Sequence, residues 1–354
     1  MLKLFKPKYR SILGIDISST AVKVIEISGK EDHRCVEGYG SMALPPNSVE
    51  GHIIKDIDVV ADCIRQLVSR ARLKSKFATL AVPDSAVISK ILQVNDELSE
   101  AEIEEFIIME ADKYIPYPIE EINIDFETIG RSIKNPALLD VIIVASRSEN
   151  VNSRVEAATK AGLQVKAIDV ESFAIERAVQ LLAKELPAQG QDKVVAVIDI
   201  GEEFANMFVL HGMKLIYTRE DEFGTKQLIN DIAVHYGITN AEAIQLKTQK
   251  KMPDDYEEGV LNPFIETLIL HVKRSLQFFF STSHHGFIDH IFLAGSVTNI
   301  SNLAQIVQEG TKIPTSIANP LNHLQLSKSL DVPSLINEAP SLLIACGLAL
   351  RDIE

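Results

Sequence analysis

Asp16, Ser18, Ser19 and Thr20 stand together in a polar turn between two apolar runs, 12–17 and 21–27, whose Val and Ile residues favour a β-hairpin. Small residues let backbone N–H groups approach an anion, hydroxyls add donors, and an Asp at a strand end can hold a hydrated Mg²⁺. Alone, the turn reads equally as an ordinary Asp-containing hairpin turn. A second copy changes that reading. The apolar run 194–200 ends in Ile198-Asp199-Ile200-Gly201, passes through a polar turn and returns as another apolar run to Leu210. Ile15-Asp16-Ile17 and Ile198-Asp199-Ile200 align without a gap, half a chain apart. Such a duplication predicts two related units facing one another, with their turns gripping one ligand from opposite sides of a cleft.

Composition bounds the frame around these turns. With 354 residues, 46% of them apolar, the chain can bury two substantial cores. The formal charge of −14 argues against general nucleic-acid binding. Cys35, Cys63 and Cys346 are scattered and odd in number, which fits buried thiols in a reducing compartment better than disulfides. No apolar run is expected to span a bilayer, and the basic stretch 1–10 lacks the continuous apolar core of a signal peptide. Sequence motifs of other chemistries, G-x-x-x-x-G-K-[ST], G-x-G-x-x-G and H-E-x-x-H, do not occur. His284, His285 and His290 are expected as surface turn residues.

The remaining pattern reads as α/β. After the first hairpin come a strand at 36–42, a helix over 58–72 and a strand at 77–82. Residues 87–147 read as a small α+β insertion, with Ser99 and Glu102 as a capping box, an apolar stripe of Ile103, Phe106, Ile107, Ala111 and Tyr114, and strands at 122–129 and 139–144. A helix over 149–161 is expected to end at Gly162, before a strand at 165–170 and a helix over 172–185. The linker-like stretch 186–193 divides a first lobe, 1–190, from a second, 191–354. In the second lobe a strand at 214–219 precedes a helix from Gly224 through Ala233 and another capped by Asn240 and running to Lys250. A long helix is expected to open at Asn262-Pro263, with an outer subdomain spanning 222–287. Strand 289–294 runs into a glycine turn at Gly295, a helix spans 300–309, and an apolar helix over 340–351 packs back towards the first lobe, carrying Gly347 where another backbone comes close.

The order of Asp16 hairpin, Asp199-Ile-Gly201 hairpin and Leu293-Ala-Gly-Ser296 resembles the actin-like ATPase superfamily, which includes actin, sugar kinases and the cell-division protein FtsA. Glu110-Ala-Asp-Lys-Tyr-Ile-Pro-Tyr-Pro-Ile-Glu-Glu121, Asp169-Val-Glu-Ser-Phe-Ala174, Arg274-Ser-Leu-Gln-Phe-Phe279 and Ile344-Ala-Cys-Gly-Leu-Ala-Leu-Arg351 narrow the likeness to the PilM family of pilus-assembly proteins, over essentially the whole chain. The resemblance implies a two-lobed actin-like ATPase fold with an FtsA-type insertion, and ATP or ADP with Mg²⁺ in the cleft. By position it implies that Asp16, Ser18, Ser19, Thr20 and Lys23 form the first phosphate site, and Asp199 with Gly201 the second. Gly295 and Ser296 fall towards the adenosine, Lys226 and Lys247 on helices flanking the nucleotide, and Asp16 and Asp199 reach Mg²⁺ through water. As partner it implies the N-terminal cytoplasmic peptide of the inner-membrane protein PilN, bound beside the insertion, with motor ATPases, the platform protein and a second copy as further contacts. This would place the chain at the cytoplasmic face of the inner membrane.

The sequence departs from the superfamily pattern at Ser18 and Ser296, where glycine is usual, and at Gly201-Glu-Glu-Phe-Ala205, where two carboxylates follow the glycine. Those departures bear on hydrolysis more than on fold, and lead to the expectation of a nucleotide binder with slow or absent turnover. A metabolite kinase on the same fold is the alternative, but no segment reads as an acceptor pocket. An FtsA-like membrane-tethered filament is the other. The sequence ends Arg351-Asp-Ile-Glu354, directly after the apolar helix, without the amphipathic tail that reading needs.

Overall fold

The computed structural model describes residues 11–30, 33–132, 135–249 and 251–351. The stretch 1–10, the terminal 352–354 and the expected helix end at Lys250 lie outside the described residues. The first part of the chain forms β1 (Ile12–Ile17), β2 (Ala21–Ser28), β3 (Cys35–Ala43), the short pair β4 (Val49–Glu50) and β5 (Ile53–Ile54), α1 (Ile57–Arg70) and β6 (Phe77–Val82). It continues with β7 (Val87–Asn95), α2 (Glu100–Glu110), β8 (Ile122–Arg131), β9 (Leu138–Arg147), α3 (Ser148–Lys160), β10 (Gln164–Val170) and α4 (Glu171–Leu182). Then follow β11 (Val194–Ile200), β12 (Ala205–His211), β13 (Lys214–Asp221), α5 (Thr225–Tyr236), α6 (Asn240–Thr248) and α7 (Asn262–Thr282). The chain closes with β14 (His290–Ala294), α8 (Leu303–Thr311), β15 (Thr315–Ile317), β16 (Gln325–Leu326), α9 (Val332–Glu338) and α10 (Leu343–Ala349).

The duplication seen in the two Asp-bearing hairpins extends to whole sheets. One sheet runs β10-β6-β1-β2-β3-β16 and the other β13-β12-β11-β14-β15. In each, the hairpin's first strand pairs antiparallel with the second and parallel with a later strand on its other side. Continuous apolar strands such as Val194–Ile200 are buried on both faces because helices cover both sides of the sheet. The last part of the chain crosses back: β16 pairs with β3, and α10 packs on β1, β2 and α4. Gly347 lies against the backbone of Ala174, where a Cβ would come within 1.8 Å of the carbonyl oxygen, and Gly14 meets Ala345 in the same way. Only glycine permits these crossings. The stretch Val332–Ala349 is long and apolar enough to cross a membrane by length and mean hydropathy alone. Here that stretch forms core, with Leu342, Leu343, Ala345 and Cys346 fully enclosed.

The insertion is a three-stranded antiparallel sheet, β7-β9-β8, with α2 on one face, its Ile103 and Ile107 clustered with Leu92, Val94, Val141 and Ile143. The Ser99–Glu102 capping box starts α2 as expected. Tyr114 is not part of the buried stripe: α2 stops at Glu110, a 3₁₀ turn follows, and the ring is left exposed. Three further expectations are corrected. Thr239, not Asn240, caps α6, because its hydroxyl accepts from the Glu242 N–H while Glu242 returns a carboxylate to the Thr239 N–H. The long helix begins before Asn262, through a π-helical turn at Glu257–Leu261 that accommodates Pro263. His290 sits on β14 bonded to Ser316 rather than in a turn. All three cysteines are free thiols, with Cys63 and Cys346 buried and Cys35 half-buried.

Candidate functional site

The β1–β2 and β11–β12 turns face one another across an open cleft. Asp16, Ser18, Ser19, Thr20 and Lys23 line it from the first sheet, and Asp199, Gly201, Glu202, Glu203, Phe204 and Ser296 from the second. Asp16 ends β1 nearly buried, and Lys23, its register partner on β2, places Nζ 3.6 Å from its carboxylate. Burial works against the Lys23 charge, but the Asp16, Asp199 and Glu202 carboxylates outweigh it and hold the ammonium above its ordinary pKa. Burial pushes Asp199 up to about 6, an effect that Lys23 opposes and Asp16 reinforces.

Ser18 explains how the first turn closes without glycine. Its N–H donates to the Ala21 carbonyl oxygen, its hydroxyl accepts from the Ala21 N–H, and none of Ser18, Ser19 and Thr20 has a positive φ. The Ser19 and Thr20 N–H groups donate to no acceptor among the described residues, so both are available to an anion. In the second turn the paired carboxylates diverge. Glu203 accepts from Lys226 Nζ at 2.6 Å; although partial burial opposes it, this bond and one to Ser19 hold its carboxyl below the ordinary value. Glu202 stays exposed, facing the Lys23 and Lys247 charges. Gly295, at φ +86, lies behind Asp199, where a Cβ would strike the carboxylate and the Ile200 carbonyl. Ser296 bonds through its hydroxyl to Thr225 at 3.2 Å.

The structure thus gathers eight of the residues singled out from sequence, Asp16, Ser18, Ser19, Thr20, Lys23, Asp199, Gly201 and Ser296, into one cleft. Lys226, Lys247 and Gly295 do not line it. Sequence reasoning missed Glu171 and His52, which do. Glu171 opens α4, and burial together with Asp16 and Asp84 raises its pKa well above the ordinary range, against the pull of Arg154. Its segment was noticed only for resemblance. Arg154, 1% exposed on α3, is a buried cation whose nearest charges are Glu171 and Asp16. Nothing in the local sequence marks it.

With five carboxylates lining the cleft and Lys23 the one Lys or Arg among the described lining residues, the arrangement resists a bare polyanion. The family described as "Type IV pilus assembly protein PilM" matches residues 14–353. The chain belongs to the PilM family of type IV pilus assembly proteins. Among solved structures, a chain of a "PilM-PilN type IV pilus biogenesis complex" is 26% identical, with 97% of this chain and 98% of that one covered and a TM-score of 0.79. Ethanolamine utilization protein EutJ from Carboxydothermus hydrogenoformans is 15% identical over 99% and 92%, with a TM-score of 0.59, a likeness of fold alone. The duplicated sheets around the cleft of this PilM-family chain are the actin-like ATPase fold.

Proposed function

We propose that this chain is a nucleotide-binding scaffold of type IV pilus biogenesis that takes the N-terminal cytoplasmic tail of PilN and works at the cytoplasmic face of the inner membrane through that contact. The observation that carries the partner is the full-length likeness to a chain of a PilM-PilN complex. The insertion suits such a role: Ile91, Ile108, Met109 and Ile129 are exposed on it, more apolar surface than a solvent-facing subdomain needs. The chain, immobilised, is expected to retain a synthetic PilN-tail peptide against a scrambled one; equal retention of both contradicts the partner.

The cleft's ligand in this reading is ATP or ADP with Mg²⁺. Asp16 is a buried carboxylate and Asp199 a half-buried one, both facing Lys23, and together they would hold a hydrated cation. Lys23 and the Ser19 and Thr20 amides would meet phosphate oxygens, and Gly201 lets the second turn approach. Bound, Mg²⁺ would supply the positive charge that this acid-lined cleft lacks. Burial and the neighbouring carboxylates hold the Glu171 pKa well above the ordinary range, against the pull of Arg154. In this reading the ligand is a structural or switching element with slow or no turnover, because Ser18 stands where glycine is usual and two carboxylates follow Gly201. Mg²⁺ with ATP is expected to raise the melting temperature while steady-state hydrolysis stays below about one per second, and several turnovers per second would contradict the reading.

A further inference from the structure

We propose that the Gly51–His52 turn is a strap across the mouth of the cleft, and that His52 sets how fast the cleft opens and releases its ligand. The inference rests on the nucleotide reading for its ligand, but not for its geometry. β4 and β5 form a hairpin closed by only two residues, Gly51 and His52. Gly51 has φ +57, the first corner of a tight hairpin turn that favours glycine. The turn therefore presents His52 at its tip.

From there His52 reaches the other sheet. Its ring stacks on Phe204 at 4.6 Å with 27° between planes, and Nε2 lies 2.9 Å from a carboxylate oxygen of Glu220 on β13. Phe204 immediately follows Glu203 in the second cleft turn, and Asn206, the register partner of Glu220, also lines the cleft. One side chain thus joins the first part of the chain to both the loop and the edge strand opposite.

The strap is also anchored from below. Arg154 donates through one terminal nitrogen to the His52 carbonyl oxygen at 3.1 Å and through the other to Asn150 O at 3.0 Å. Its Nε is buried with no hydrogen-bond partner, a costly arrangement for a charged side chain. Position accounts for it: the guanidinium holds the strap's main chain while its charge faces Glu171 and Asp16 behind the cleft. Arg154 is a positioning residue, acting through His52.

A ring stack with one hydrogen bond to a charged group slows opening by a factor of about 10 to 100. The test is stopped-flow release of N-methylanthraniloyl-ADP, loaded with Mg²⁺ on the full chain and chased with unlabelled ADP. His52→Ala is expected to speed release by about tenfold or more and Phe204→Ala by less, since the Glu220 bond remains, with the double variant no faster than His52→Ala. His52→Phe, which keeps a ring on Phe204, should restore part of the slow release. A second arm needs no ligand: hydrogen–deuterium exchange over 199–206 should quicken in His52→Ala and in Arg154→Met, with an unchanged circular dichroism spectrum. Release from His52→Ala within about twofold of the parent overturns the strap. If the parent takes up no labelled ADP, the nucleotide reading fails, and unchanged exchange over 199–206 then overturns the strap by itself.

Discussion

Asp199→Asn is expected to abolish the thermal stabilisation conferred by Mg²⁺ with ATP and, near neutral pH, to make the ligand-free chain more stable than its parent. The two effects share one cause. Asp199 is half-buried, and burial holds its carboxyl up at about 6 in the folded chain against an ordinary 3.8. The folded state therefore binds more protons than the unfolded state between those values, so this group's contribution to stability is present at low pH and lost as pH rises through about 4 to 6. Near pH 7.5 the buried charge costs about 1–3 kcal/mol, which asparagine avoids while keeping the shape. The advantage of the variant should shrink towards about pH 4.5, where the parent's Asp199 is itself protonated. Ligand binding runs the other way: a hydrated cation needs the ionised carboxylate, so affinity in the parent should fall below about pH 6. Melting curves of both proteins, with and without Mg²⁺ and ATP, check all of this. Equal ligand-induced shifts would remove Asp199 from the site.

Gly347→Val is expected to be the most damaging single substitution in the scaffold. α10 crosses α4 and β1 with backbone against backbone, and a Cβ on Gly347 would lie 1.8 Å from the Ala174 carbonyl oxygen. Nothing there is a flexible side chain that can swing aside. The Gly347 carbonyl also accepts from Arg177 Nε at 2.9 Å, so retreat of α10 breaks that bond as well. The helix joins the core of the first sheet to that of the second, through Ala345 and Cys346 on one side and Leu343 and Leu348 on the other. We expect a loss above about 3 kcal/mol in urea unfolding, or no soluble protein. Gly286, which has open space where a Cβ would go, supplies the control: Gly286→Ala should stay within about 0.5 kcal/mol of the parent. A Gly347→Val chain as stable as that control would show the crossing to be slack.

What the sequence made legible follows from distance along the chain. The hairpins at Asp16 and Asp199 could be read because strand, turn and strand are contiguous and because the pattern occurs twice. Their duplication predicts two related units, and each hairpin does stand in its own sheet. β7 went unread because Lys90 interrupts the apolar face that Leu92 and Val94 turn towards α2. Asn240 and Pro263 misled for a local reason: each is a good helix starter, but Thr239 makes the better box and a π-helical turn carries the long helix past the proline. The cleft's remaining residues depend on contacts that no local pattern encodes. His52 meets Glu220 across 168 positions, and Arg154 meets His52 across 102. Lys226 illustrates the converse, a lysine at the expected place whose charge is taken by Glu203 on the rim.

The central claim is that a nucleotide cleft and a PilN-binding surface coexist on one scaffold. Calorimetric titration of a synthetic N-terminal PilN tail into the full chain, with and without Mg²⁺ and ATP, tests it most directly. The account predicts a saturable one-to-one heat with a dissociation constant on the order of micromolar, altered by nucleotide if the cleft acts as a switch. No heat in either condition would contradict it.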